Sequence, residues 1–527
     1  MIAVSGGLDA ALLKLSPGDY FTLRDAVQGV LVTGGIGSGK TSGSGQALAG
    51  AYLRAGMGGL VLCAKPEEAA RWRQYCAQHG RSGSLIELDG SGPILNFLAY
   101  ELARHGVHGL NSVIECLMRV LEAARNASPS RGRSGDQFWE DTTRQLLRNT
   151  IPILYCATGT VTIPDIVRFV RSAPADQAQA RSAEWKARAF MYEIFMRAAD
   201  RLGDSHELIN RTADYWHQEF VPLDPKTKGN IAISLTTSLD RFNHGWLKTA
   251  FASATTVVPE LSFHGAVILL NMPALTLNED GIIGQQLFKT MWQRAVLARN
   301  ALEGAQQARP VFLWADEAQY FINSYDAEFL STGRGSLACP VFLPQSLPTY
   351  YASMGGEHPR ERVQHLLGNF ATKIWHSNAC PETNRWAADT MGQMVKQRAN
   401  YSEGEGSSTN YGMNMGEGTN SGTQHGYGGS YSSGRGMQPG SSSSSWNSGR
   451  SQGESDNWGR NRGEGTSSNV SQGYSEQVGY ILEPGEFGRM LKTGGPANGN
   501  RVSAIWYQAG RRFSASSGNA LLAEFAQ

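Results

Sequence analysis

The sequence predicts an α/β protein: a mostly parallel central sheet built around a phosphate-binding loop, interrupted by an inserted all-α domain. Three observations predict it. Short apolar runs alternate with helical patterns over residues 20–100, and again from about 226. Over residues 101–225 the strand signals vanish and helical patterns follow one another. The stretch "LVTGGIGSGKTSGS" (31–44) sets a glycine-rich turn between the first apolar run and a helix.

The apolar runs justify the strands in order. "GVLVTG" (29–34), "GLVLCAK" (59–65) and "SLIELD" (84–89) read as buried parallel strands, with an Ala/Gly-rich helix beginning at Lys40 between the first two. Helical patterns occupy 109–126, 136–156, 163–171, 178–202 and 205–219. "GAVILLNM" (265–272) is a strand and 281–303 a helix. "PVFLWADEA" (310–318), "ACPVFLPQS" (338–346) and "FATKIWHSN" (370–378) are further strands. Residues 401–477 are rich in Gly, Ser and Asn, with scattered Tyr, Trp and Glu. Such a tract has little apolar surface to set against chain entropy, so disorder is expected. "RVSAIWYQAG" (501–510) reads as a last strand returning to the main sheet. The organisation expected is 1–100 and 226–400 as two parts of one nucleotide-binding domain, 101–225 as the helical insertion, 401–477 as a disordered segment and 478–527 as a return strand and tail.

Composition is compatible with this. A chain of 527 residues exceeds one ordinary domain, and 41 % hydrophobic residues suffice for a sizeable core. Lys+Arg 47 against Asp+Glu 46 gives a formal net charge of +1, so any basic surface for nucleic acid must be local. Cys63, Cys76, Cys116, Cys156, Cys339 and Cys380 form no CxxC pair and no zinc spacing. They read as reduced thiols of a cytoplasmic protein. The N-terminus is a poor signal peptide, and no run of 18 or more apolar residues occurs. A cytoplasmic protein with no direct membrane span is expected.

The segment Gly34-Gly35-Ile36-Gly37-Ser38-Gly39-Lys40-Thr41 fits G-x-x-x-x-G-K-[ST] at every fixed position. Glycines let successive backbone N–H groups converge on phosphate oxygens, and the following helix adds its N-terminal dipole. Gly34, Gly35, Gly37, Ser38, Gly39, Lys40, Thr41 and Ser42 are therefore candidate ATP-binding residues. Lys40 would reach the β- and γ-phosphates and the Thr41 hydroxyl would ligate Mg²⁺. Hydrolysis needs a second acidic site. "VFLWADEAQ" (311–319) ends an apolar strand in Asp316-Glu317. Asp316 can orient a water on Mg²⁺, and Glu317 can activate the attacking water.

Two further residues fit this chemistry. Gln345 ends the next strand and could sense the γ-phosphate or the attacking water; its plainer reading is a solvated loop residue. Arg334 could serve as a finger reaching a neighbouring subunit's nucleotide; its plainer reading is a surface turn arginine. Arg131, Arg133, Arg144 and Arg148, around the helix carrying Phe138 and Trp139, could contact DNA phosphates, although a solvated basic face over a core aromatic pair is the preferred reading. The histidines are scattered and suggest no metal cluster.

With both nucleotide motifs placed, the chain resembles the type IV secretion coupling proteins, the conjugative DNA-transfer ATPases. These are RecA-like motors related to the FtsK and HerA translocases. "FTLRDAVQGVLVTGGIGSGKTSG" (21–43) resembles their first strand and phosphate loop, and "LVLCAKPEEAARWRQYCAQHGR" (60–81) their second strand, with Lys65 where they have an acidic-lysine segment. "LNFLAY" (95–100) resembles their Asn-Pro-Leu junction with Phe97 for the Pro, and "DQFWEDTTRQLLRNTIPIL" (136–154) a helix of their all-helical domain. "FLWADEAQYF" (312–321), "GRGSLACPVFLPQSLPTYY" (333–351) and "LLGNFATKIWHSNACPETNRWAADTMG" (366–392) resemble their acidic strand, arginine-to-glutamine segment, and last core strand and helix. The resemblance implies nucleotide roles for Lys40, Thr41, Asp316, Glu317, Arg334 and Gln345. It also implies a homo-hexameric ring that uses ATP and Mg²⁺ to bring single-stranded, relaxase-linked DNA or effector proteins to a secretion channel, with type IV secretion or relaxosome proteins as partners. Most members carry an N-terminal membrane anchor, which this sequence does not show, so any membrane association is expected to be peripheral, through a partner at the inner membrane. Two other readings stay open: a HerA/FtsK-like DNA pump in another DNA-processing or defence role, and a nucleotide-gated adaptor that recruits protein cargo.

Overall fold

A computed structural model describes residues 7–105, 109–115, 117–118, 136–203, 206–251, 254–301, 309–354, 358–413, 423–431, 442–452, 455–456 and 460–527. They form two compact units, one of Met1–Asn384 with Phe487–Gln527 and one of Arg385–Glu486. In chain order the strands are β1 (Ala11–Lys14), β2 (Tyr20–Thr22), β3 (Val30–Thr33), β4 (Gly58–Leu62), β5 (Leu85–Leu88), β6 (Val267–Leu270), β7 (Val311–Asp316), β8 (Ala338–Leu343) and β9 (Thr372–Trp375). Then follow β10 (Gln393–Met413), β11 (Thr423–Tyr431), β12 (Ser442–Gln452), β13 (Ser455–Asp456), β14 (Arg460–Tyr480), β15 (Arg501–Gln508) and β16 (Ala520–Ala526).

The first unit holds a nine-stranded sheet ordered β16-β15-β9-β3-β8-β7-β4-β6-β5. The seven strands from β9 to β5 are parallel, while β15 and β16 close one side antiparallel. Every position of β3, β4, β6, β7, β8 and β9 is buried. Helices cover both faces of such a sheet, which is why its strands read as unbroken apolar runs. On one face Trp72 of helix Pro66–Gln78 stacks on Phe312 with ring centroids 5.6 Å apart and meets Trp314 edge-on at 5.4 Å. Tyr52, Leu48, Val341, Ile374 and Trp506 belong to the same core.

Helix Ala274–Ala298 kinks at Asn278 (φ 51°, ψ −129°). Its buried Gln285 is the clasp at the end of β4. The Nε2 donates to the carbonyls of Cys63 (2.8 Å) and Met272 (2.7 Å), and the Oε1 accepts from the Cys63 N–H at 2.7 Å. Lys289 of the same helix forms a buried ion pair with Asp326 at 2.6 Å, tying it to the segment that follows β7.

Helices fill the chain from Phe97–His105 to Gly245–Phe251 without a named strand among the described residues. The run therefore passes 225, where alternation with strands was expected to resume. Helix Pro225–Asp240 begins there because Asp224 caps it, accepting from Lys226 N (3.0 Å) and Thr227 N (3.3 Å). Phe169, Trp216 and Phe220 centre the helical core, with Phe169 and Trp216 edge-to-face at 5.5 Å.

Within 401–477, where disorder was expected, the described residues are placed in strands; residues 414–422, 432–441, 453–454 and 457–459 lie outside the described residues. Strand β10 pairs antiparallel with β14 from Gln393↔Tyr480 to Met413↔Arg460, and the sheet continues in the order β10-β14-β12-β11. An antiparallel ladder satisfies its own backbone donors and acceptors. A composition poor in apolar side chains therefore does not forbid it.

Cys63, Cys76, Cys156, Cys339 and Cys380 are free thiols, and Cys116 lies outside the described residues. Among the described residues no single helix is long and apolar enough to cross a membrane.

Candidate functional site

In the loop leaving β3, Gly34 and Gly39 leave no room for larger residues. A Cβ on Gly34 would fall 2.4 Å from Ser38 Oγ and 2.8 Å from His376 Cβ. Gly39 has φ +79°, and a Cβ there would lie 2.5 Å from Val502 Cγ2 on β15. The Gly35 N–H donates to Ser377 O at 2.9 Å, which pins the loop to the end of β9, and Ser38 N–H donates to Gly35 O at 3.2 Å. These two amides hold the loop's own shape. Ile36, at the tip, is 92 % exposed, so the top of the loop is open.

The helix expected to begin at Lys40 starts as a π turn, Thr41–Gly45, and continues as the α-helix Gln46–Arg54. The Gly45 N–H reaches back to Lys40 O at 2.9 Å. The turn carries Lys40 and Thr41 to the end of β7. Lys40 Nζ lies 3.4 Å from Glu317 Oε1, and the Thr41 hydroxyl donates to Asp316 Oδ2 at 2.8 Å. All three of Lys40, Asp316 and Glu317 are buried. Glu317 sits in the left-handed region (φ 46°, ψ 48°), a conformation that costs a non-glycine residue about 1 kcal/mol or more. Its own N–H donates to Asp316 Oδ1 at 3.0 Å.

More groups converge here than the sequence indicates. Lys65 Nζ donates to Glu317 Oε1 at 2.8 Å, and Gln319 Nε2 to Glu317 Oε2 at 2.9 Å. Arg71 NH1 lies 3.9 Å from Asp316 Oδ2. Ser44 Oγ is 2.7 Å from the Nε2 of the buried His376. These residues were out of reach because β4, which leads into Lys65 and Arg71, neighbours β7 in the sheet but lies some 250 residues away in the chain. Of these, only Lys65 was marked in the sequence, through the resemblance carried by residues 60–81.

Charge divides the two acids. Burial pushes the Asp316 carboxyl above its ordinary range against the opposing pull of Lys40 and Thr41. Burial acts the same way on Glu317, but the Lys40 charge and the Lys65 and Gln319 hydrogen bonds outweigh it and hold it below. Glu68, one turn into helix Pro66–Gln78, is pushed up to about 8 by burial and by the Asp316 charge. Burial and the Lys40 charge bring His376 down to about 3, so its ring is neutral at physiological pH.

Of the residues picked from sequence, Lys40, Thr41, Asp316 and Glu317 meet. Gln345 follows β8 at the same end of the sheet, and its carbonyl accepts from Asn378 Nδ2 at 3.1 Å. Ser42 turns the other way, its Oγ accepting from Gln527 Nε2 at 2.7 Å. Arg334 is exposed in the turn that precedes β8. It lies at the opposite edge of the sheet from Glu317, roughly 20 Å away by strand length. One chain does not bring it to the loop.

In the helical run, Arg131 and Arg133, and the side chains of Phe138 and Trp139, lie outside the described residues. Arg144 is engaged by Glu115 (3.1 Å), Glu140 (3.5 Å) and Asp141 (3.8 Å). A different basic surface appears nearby: an open cleft of about 450 Å³ lined by Arg168, Arg171, Arg188, Phe190 and Asn243. The Arg168 guanidinium lies over the Phe190 ring at 4.1 Å, and the buried Asn243 Oδ1 has no hydrogen-bond partner.

No family model matches the chain, and no curated protein matches it significantly. Among solved structures, it is similar to the plasmid coupling protein TrwB in complex with the non-hydrolysable ATP analogue ADPNP, and to the same protein in complex with the non-hydrolysable GTP analogue GDPNP. Each comparison gives 13 % identity and a TM-score of 0.51, covering 98 % of this chain and 89 % of that one. The likeness is one of fold: this chain's mostly parallel nine-stranded sheet and its run of helices superpose on TrwB.

Proposed function

We propose that this protein is a ring-forming ATPase that couples ATP hydrolysis to DNA movement in conjugative transfer or type IV secretion. The observation that supports it most is the meeting of Lys40 and Thr41 with Asp316 and Glu317 at the open end of the sheet. The coupling-protein fold and the nucleotide analogues named with its structural neighbours support the same reading.

The residues suit a nucleotide phosphate with Mg²⁺. Thr41 and Asp316 offer hard oxygen donors. Ser38 Oγ is buried against the loop without a hydrogen-bond partner, as an acceptor-rich ligand would require. Thr41 and Asp316 would hold Mg²⁺, which would neutralise charge on the phosphates. Lys40 leaves Glu317 for the β- and γ-phosphates. Glu317 takes the proton of the attacking water, and Gln345 positions that water. Arg334 acts on the neighbouring subunit's nucleotide, which makes the ring the active form. The Arg168–Arg171–Arg188 cleft is the candidate DNA contact within one chain.

The test is steady-state ATPase activity with and without single- and double-stranded DNA, beside Lys40→Ala. DNA-stimulated turnover that the substitution abolishes is expected. Turnover that survives Lys40→Ala sinks the nucleotide assignment. Turnover indifferent to DNA shifts the reading to a protein-recruiting adaptor.

A further inference from the structure

We infer that Lys65 is a restraining residue for Glu317: its ammonium holds the carboxylate in a resting contact that slows hydrolysis until the end of β4 moves. The inference rests on Glu317 being the base proposed above, and concerns its control.

Both oxygens of Glu317 are engaged. Oε1 takes Lys40 at 3.4 Å and Lys65 at 2.8 Å, while Oε2 takes Gln319 at 2.9 Å. A carboxylate that is to deprotonate water needs a lone pair free to face it, and both ammonium groups occupy Oε1. Lys40 has somewhere else to go, because the phosphates draw it away. Lys65 belongs to no phosphate loop, so its contact, the shorter of the two, outlasts nucleotide binding.

The position of Lys65 is set from behind. Its carbonyl accepts the Glu68 N–H at 3.2 Å as helix Pro66–Gln78 begins. The neighbouring Ala64 N–H donates to Glu68 Oε2 at 2.7 Å, and the Ala64 carbonyl accepts from Leu275 N at 3.0 Å. Gln285 clasps Cys63 from the same long helix, Ala274–Ala298. The Lys65 backbone is thus coupled to that helix, which is also tied to the segment after β7 through Lys289 and Asp326. Arg71, on the helix that Lys65 precedes, faces Asp316 in the same way. The Lys65 side chain is 39 % exposed, and half-exposed ion pairs contribute little to stability. A purely structural role would leave turnover unchanged when the charge is removed.

The experiment compares full-length wild type, Lys65→Met and Lys65→Arg by DNA-free steady-state kinetics, with binding of a non-hydrolysable ATP analogue measured alongside. Lys65→Met should raise kcat about three- to tenfold with KM within about twofold. Lys65→Arg, which restores the charge, should bring the rate back down. A kcat for Lys65→Met that is unchanged or lower, with analogue binding intact, overturns the restraint. If Lys65→Met does not bind the analogue, Lys65→Gln replaces it, and loss of binding there too makes Lys65 structural and overturns the restraint. Wild type without Lys40-dependent hydrolysis sinks the parent reading, and the restraint with it.

Discussion

Glu317 is held by more neighbours than a surface carboxylate needs. Its backbone is left-handed, its carboxylate touches two ammonium groups and an amide, and the preceding Asp316 caps its N–H. Strain of this kind persists only where surrounding contacts over-determine it, and it aims the side chain across the loop instead of along β7. The geometry separates two roles that a single sequence motif merges. The Thr41 hydroxyl donates to Asp316, whereas the Lys40 ammonium lies against Glu317. Glu317→Gln keeps the shape and the amide-compatible contacts but cannot take a proton. It should bind an ATP analogue within about threefold of wild type and lose at least about 100-fold in kcat, the usual contribution of a positioned base. Single-turnover kinetics beside analogue titration checks this. Hydrolysis near the wild-type rate would assign the base elsewhere.

At the scale of elements, the two ends of the chain meet over Asp19. The turn between β1 and β2 presents this carboxylate to the loop between β15 and β16. It accepts from Ser16 Oγ (2.6 Å), Ser514 N (2.8 Å), Ser514 Oγ (2.9 Å) and Ala515 N (3.1 Å). Burial pushes the carboxyl up, but these hydrogen bonds outweigh it and bring it down to about 2. A folded-state value below the unfolded value near 3.9 means that the ionised form stabilises the fold. That contribution is full above about pH 4 and is lost as the pH falls through about 2. Asp19→Asn should therefore destabilise at pH 7 by about 1.5–3 kcal/mol, the range for hydrogen bonds to a charged group. The gap from wild type should close as the pH falls from 4 towards 2, as read by urea denaturation at stepped pH. A gap independent of pH would assign the loss to packing. Neither this latch nor the β1–β2 ribbon was legible in the sequence. Their strands are short and half-exposed, and Asp19 is one polar residue in a turn until Ser514 arrives from the other end. β3, β4 and β6 to β9 were legible because burial on both faces leaves an unbroken apolar signal. The Lys40–Thr41 and Asp316–Glu317 pairs were legible because each is contiguous and set in a local pattern, a glycine-rich turn in one case and the end of an apolar strand in the other. Arg71 and His376 were not, and Lys65 was marked only by the resemblance, since the order of strands in the sheet is what brings them in. The ladder of β10 and β14 was hidden for a different reason: backbone pairing leaves no mark on composition.

At the scale of the whole molecule, the candidate site is divided between two edges of one sheet. The loop, the acidic pair and Gln345 stand where the parallel strands end, while Arg334 stands where β8 begins. No rearrangement that preserves the sheet brings Arg334 to Glu317 within one chain, because β7 and β8 are hydrogen-bonded from Val311↔Ala338 to Asp316↔Leu343. A head-to-tail ring solves this geometrically, because a heterologous interface sets one edge of a subunit against a different surface of the next. Subunit mixing tests the arrangement. Arg334→Ala and Glu317→Gln should each be inactive alone. In a mixed ring, a subunit carrying Arg334→Ala keeps its own Glu317 and can receive Arg334 from a Glu317→Gln neighbour. Random assembly of equal amounts makes about one interface in four complete in this way, so roughly a quarter of wild-type turnover should return. Recovery requires co-assembly, so it should vanish when the two variants are purified and assayed without subunit exchange. If mixed rings form and stay inactive, Arg334 does not act across the interface, and its exposed turn needs no catalytic explanation.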